Sequence, residues 1–123
     1  MTIGDHIKKR RMDLRLLQKD IAKRWNVTEE TITNWENGYS IPMISYYPLI
    51  IEFLGYSLWQ FDTNTLSGKI LEYRHRYGLS AKQLGRLLGV NLSTVRSWEL
   101  NESTPSKQKI KKLELLLANK PLD

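Results

Sequence analysis

The chain has 123 residues and a mass of 14.5 kDa, enough for one ordinary domain or two small ones. Nineteen Lys and Arg stand against 13 Asp and Glu, a formal charge of +6 with a pI near 9.6, so an anionic partner, nucleic acid first, is expected. There is no Cys, which removes disulfides, Cys-based zinc sites and thiol nucleophiles together. The most apolar stretch, 43–61, is interrupted by Pro48, Glu52 and Gly55 and is too broken to span a bilayer. The basic run Lys8 to Arg11 has no apolar core behind it, unlike a signal peptide, and a cytoplasmic setting fits this composition.

In chain order, a first helix is expected over about 3–14, with Ile3, Ile7 and Leu14 as its apolar positions. A second is expected over 18–25. Asn26 follows it where a tight turn needs a left-handed residue. A third helix, capped by Thr28, runs to Glu36 and is closed by Asn37 and Gly38. Pro42 precedes a fourth, apolar helix over 46–54. The same order then returns. Helices are expected over 66–77 and, after a Ser80 cap, 82–88, with Gly89 at the turn. A third is capped by Asn91, runs to Glu99 and is closed by Asn101; Pro105 precedes a last helix over 107–117. No segment alternates as a strand would.

A shift of 63 positions makes the repeat explicit. Between residues 2 and 42 it pairs 11 of 41 positions identically, among them Ile7/Ile70, Arg11/Arg74, Lys19/Lys82, Val27/Val90, Trp35/Trp98, Glu36/Glu99 and Pro42/Pro105. Ordinary composition would give about 2–3. The chain therefore reads as two copies of one helical unit, 1–61 and 66–123, joined by 62–65, a join too short to act as a free linker.

The stretch 18–38, with Gln18, Ile21, Ala22, Val27, Thr31, Ile32, Trp35 and Gly38, and the stretch 80–99, with Ala81, Leu84, Gly85, Val90, Thr94, Val95 and Trp98, resemble the phage-repressor-like (XRE-type) helix-turn-helix family. The resemblance implies an all-α fold of two tandem lambda-repressor-like bundles, four to five short helices each, whose third helix enters the major groove of double-stranded DNA. Carried over position by position, it puts Glu29, Glu30, Thr33 and Asn34 of the first copy, and Leu92, Ser93, Arg96 and Ser97 of the second, against base edges. It puts Gln18, Asn37 and Lys82 against phosphates; at the position of Gln18 the second copy has Ala81, a departure from the pattern, and Leu17 departs from the usual Ser or Thr cap. Arg11 with Glu36, and Arg74 with Glu99, become ion pairs between first and third helices, and both Trp35 and Trp98 become core.

Charge separates the copies. Residues 1–63 hold eight basic and eight acidic residues, residues 64–123 eleven and five. The second copy should therefore dominate binding to arbitrary DNA, with Lys107, Lys109, Lys111 and Lys112 flanking its last helix and able to meet the backbone. The alternative for these lysines is a solvated face that keeps a small unit soluble. In the first copy, Glu29 and Glu30 are repelled by phosphate yet can accept from cytosine N4, so that copy is either selective or a docking surface. The aromatic segment 46–61 supplies some core, and its remainder is expected to seal a contact between copies, a homodimer or a protein partner.

His6 and His75 have no partner at metal or catalytic spacing, and His75, between Arg74 and Arg76, is a candidate for touching a phosphate. Gly68-Lys69 lacks the upstream glycine and following hydroxyl of a phosphate loop. No enzyme, metal or cofactor is expected. The leading function is a sequence-specific, duplex-DNA-binding transcriptional regulator. The alternative is a protein-interaction module, antitoxin-like or a coregulator, whose first unit docks a partner.

Overall fold

A computed structural model of the chain describes residues 1–121. The end of the expected second unit, 122–123, lies outside the described residues. Among the described residues eight α-helices follow one another: α1 Ile3–Asp13, α2 Gln18–Trp25, α3 Glu29–Glu36, α4 Tyr47–Leu54, α5 Leu66–Tyr77, α6 Ala81–Leu88, α7 Leu92–Glu99 and α8 Lys107–Leu117. No strand occurs among the described residues, and no helix there is long and apolar enough to cross a membrane. The all-α expectation holds. Two compact units form, Met1–Leu58 and the residues from Trp59 onward.

Local chemistry explains most boundaries. At α1 the Thr2 hydroxyl accepts from the Asp5 N–H (3.1 Å) while the Asp5 carboxylate accepts from the Thr2 N–H (2.9 Å), a reciprocal cap. Ser80 and Gln83 repeat it at α6. Leu17 has no oxygen to offer α2, but the Asp20 carboxylate accepts from the Leu17 N–H at 2.7 Å and supplies half of that cap. Thr28 caps α3 as expected, whereas Asn91 stands before α7 without a side-chain cap bond. The fourth helix begins later than expected. Pro48 has no N–H to return to the Ile44 carbonyl, so Ile44–Tyr46 winds as a 3₁₀ turn before α4 starts at Tyr47.

The 63-residue repeat runs through the cores to the last helix. Ile7, Ile21, Ile32 and Ile50, one from each helix of the first unit, are fully buried. Their counterparts Ile70, Leu84, Val95 and Leu113 are fully buried in the second. One contact differs. α1 crosses the end of α3 so closely at Gly4 that a Cβ there would lie 1.7 Å from the Trp35 carbonyl oxygen. At the equivalent Ser67 the crossing leaves room for a side chain, and its hydroxyl donates to the Glu99 carbonyl.

Candidate nucleic-acid interface

Each unit joins its second and third helices by one left-handed residue, Asn26 (φ 54°) or Gly89 (φ 72°). The next N–H closes the turn in the same way in both: Val27 donates to the Ala22 carbonyl and Val90 to the Gly85 carbonyl, each at 2.9 Å. This fixes α3 against α2 and α7 against α6 by identical backbone geometry.

The inner sides of α3 and α7 are pinned from within. The Glu36 side chain, 1 % exposed, takes the Arg11 guanidinium in a two-bond pair (Nε–Oε2 2.7 Å, Nη2–Oε1 2.9 Å). This hydrogen bond holds the Arg11 guanidinium protonated beyond its usual range. Arg74 makes a single bond to Glu99, Nη1–Oε2 at 2.6 Å, and its Nε donates to the Leu79 carbonyl. Both expected ion pairs are present.

The expected reading residues divide. On α7, Leu92, Ser93 and Arg96 are exposed, and the half-buried Ser97 pairs its hydroxyl with that of Ser103 at 2.6 Å. On α3, Glu29 and Glu30 are exposed, while Thr33 and Asn34 are half-buried. The Thr33 hydroxyl donates to Gln18 Oε1 at 2.7 Å, and Gln18 Nε2 donates to Glu36 Oε1 at 3.0 Å. Gln18, expected at a phosphate, is thus built into a chain Arg11–Glu36–Gln18–Thr33 inside the unit, with one amide hydrogen left over. The sequence could not show this, because it joins three helices.

Among the other phosphate candidates, Asn37, Lys82 and Lys107 are exposed. Lys109 has an internal partner instead: its ammonium donates at 3.0 Å to the Leu88 carbonyl at the end of α6, where a cation offsets unpaired carbonyls. Lys82 lines a concavity of about 540 Å³ together with Arg86, Val90, Asn91, Leu92 and Ser93. Arg86 was not singled out from sequence. Its signal is the i,i+4 spacing from Lys82, matched by Lys19 and Lys23 in the first copy.

His75 is half-buried and has aromatic neighbours. Its ring packs against Trp59 (centroids 5.5 Å apart) and Phe61 (4.7 Å), and Nδ1–H donates to the Leu71 carbonyl at 2.7 Å. Burial holds its pKa below the ordinary 6.5, helped by Arg74 and opposed by the Leu71 carbonyl and Glu99. A depressed histidine pKa means that the unfolded chain takes the proton first. Stability of the second unit is therefore expected to be full above pH 6.5, to fall as the pH drops through 6.5 toward the folded value, and to level off below that. Urea midpoints between pH 8 and pH 5 check this, and His75→Leu should remove the slope in that window.

The aromatic segment is largely occupied inside the units. Phe53 is buried against Trp25, Tyr46 stands edge-on to Trp35, Tyr47 packs on the first core, and the Tyr56 hydroxyl meets His6 Nδ1 at 2.9 Å. Three strongly exposed apolar residues of the first unit lie together earlier, in the loop after α3: Tyr39 (79 % exposed), Ile41 (75 %) and Met43 (70 %).

A helix-turn-helix family model matches the chain twice, over residues 7–58 and 70–123. No curated protein and no solved structure matches it. The two matches fall on the two units, each with its left-handed turn and its Arg–Glu pair; the chain belongs to the XRE/lambda-repressor-like helix-turn-helix family of DNA-binding regulators, as two tandem copies.

Proposed function

We propose that this chain is a sequence-specific, duplex-DNA-binding transcriptional regulator whose second unit supplies most of the electrostatic affinity. The observation that carries this is the face of α7, where Leu92, Ser93 and Arg96 stand exposed beside the Lys82–Arg86 pair of α6. An exposed third helix is the element that fits a major groove, and flanking cations neutralise phosphate. Charge is distributed accordingly: residues 59–123 hold eleven basic residues against six acidic, residues 1–58 eight against seven. The base-reading set is Leu92, Ser93, Arg96 and Ser97, with Glu29, Glu30, Thr33 and Asn34 as the first unit's counterparts.

Selection of sites from a random duplex pool at near-physiological salt tests this reading. An enriched motif supports it, and binding that shows no enrichment and vanishes as salt rises overturns it. Arg96→Ala gives a sharper check. A guanidinium reads guanine O6 and N7 together, so its loss should cost about 1–3 kcal/mol of discrimination at one base pair. Arg96 is exposed, so the fold should be unchanged. An unaltered preference between cognate and scrambled duplex would remove Arg96 from the reading set.

One observation favours a second reading, in which the first unit docks a protein. Its loop carries Tyr39, Ile41 and Met43 where the second unit carries Glu102, Thr104 and Ser106, although Ser40/Ser103 and Pro42/Pro105 between them are identical. The same loop forms with polar residues, so folding does not require the apolar ones. A selected motif confined to a single short block, lost with Arg96, would assign DNA reading to the second unit and leave this loop to a partner.

A further inference from the structure

Leu92 opens α7 and is 36 % exposed. A lone exposed leucine needs no explanation, but three observations set this one apart. α7 meets its core through Val95 and Trp98, and Leu92 is not among the side chains packed there. The first unit builds the same helix with Glu29 at the repeat-equivalent position, so the fold asks for no apolar group. Finally, Leu92 lies with Val90 in the concavity of about 540 Å³ that Lys82 and Arg86 also line.

The first unit separates what is shared from what is not. Lys19 and Lys23 reproduce the cation pair of Lys82 and Arg86, whereas Glu29 and Glu30 replace Leu92 and Ser93. The cations are the common part and suit phosphates, which carry no sequence information. The apolar side chain is the distinguishing part. In the major groove only thymine presents an apolar group, its C5-methyl.

We propose that Leu92 reads a thymine C5-methyl in the duplex bound by the second unit, with Lys82 and Arg86 holding adjacent phosphate. This rests on the DNA-binding reading above. Glu29 makes no such contact, because a carboxylate set against a methyl loses water without gaining a partner. The thymine contact therefore belongs to the second unit alone.

The test uses the full chain and a duplex recovered by the selection, with each thymine in turn replaced by uracil. Uracil keeps every hydrogen-bonding group and lacks only the methyl. One substitution is expected to weaken the wild-type protein about three- to fivefold, the worth of one buried methyl-sized group. Leu92→Ala should bind the thymine and uracil forms of that duplex equally, and Leu92→Met, which restores apolar surface, should recover the difference. Circular dichroism of both variants checks that α7 still forms. Uracil duplexes that all bind as tightly as the parent, or a thymine preference that survives Leu92→Ala, would overturn the proposal while leaving DNA binding intact. If no duplex is enriched over scrambled sequence, the DNA-binding reading itself fails, and this inference with it.

Discussion

Replacing Glu36 by alanine is expected to lower the stability of the first unit by about 3–5 kcal/mol, the cost of removing one partner of a buried ion pair. The Glu36 side chain is 1 % exposed and that of Arg11 13 %, so little water is available to replace the lost carboxylate. Arg11 would keep only its bond to the Leu16 carbonyl (Nη1–O 2.9 Å), and the Gln18 amide would lose its acceptor at the same time. Two polar groups are thus stranded by one change. The same substitution at Glu99 should cost less: Arg74 makes one bond to it, not two, and the Glu99 side chain is 9 % exposed. Replacing both members of the first pair, Arg11→Met with Glu36→Leu, should recover most of the loss, because no charge then stays behind. Hydrogen exchange resolved along the chain measures each unit separately. A loss under about 1 kcal/mol for Glu36→Ala would show that solvent already shares the pair.

What the sequence made legible, and what it did not, follows from how far each interaction reaches. The 63-residue offset aligned Arg11 with Arg74, Glu36 with Glu99 and Trp35 with Trp98, and the family resemblance made the first two ion pairs and the last core; the left-handed turns were legible in the residue types Asn26 and Gly89. The fourth-helix core pair Ile50/Leu113 keeps the same offset, although the identities counted before it stop at Pro42. The Gln18 network was hidden for a different reason. Glutamine at that position suits a phosphate or an internal acceptor equally, and only packing α1, α2 and α3 together puts Glu36 and Thr33 within reach. His75 was judged by its neighbours in sequence, Arg74 and Arg76, and its aromatic neighbours in space, Trp59 and Phe61, were not legible there. Lys109 was counted as surface charge, yet helix geometry brings it back onto the end of α6. The Tyr39–Met43 loop was legible by one comparison, between apolar residues in one copy and polar residues in the other.

Trp98→Ala is expected to destabilise the second unit by about 3–5 kcal/mol, the usual range for removing a large aromatic side chain from a core. Trp98 is 4 % exposed and shares the core with Ile70, Tyr73, Leu84, Val95 and Leu113, one or more from every helix of the unit. A unit of this size has a stability of about 3–10 kcal/mol at typical values per residue, so the change removes a large share of the whole. Trp98→Phe should cost much less, since most of the ring volume is kept. The effect on DNA is what separates this residue from its neighbour on the helix. Trp98 faces inward and Arg96 outward, so Trp98→Ala should weaken binding to all duplexes alike, in proportion to the fraction of the second unit left folded. Arg96→Ala should instead change which duplex is preferred, at unchanged stability. Hydrogen exchange in α7, read beside affinity for cognate and scrambled duplex, distinguishes the two. A Trp98→Ala protein with undiminished protection would place that indole outside the core, and a changed base preference in a folded Trp98→Ala protein would place it on the reading face.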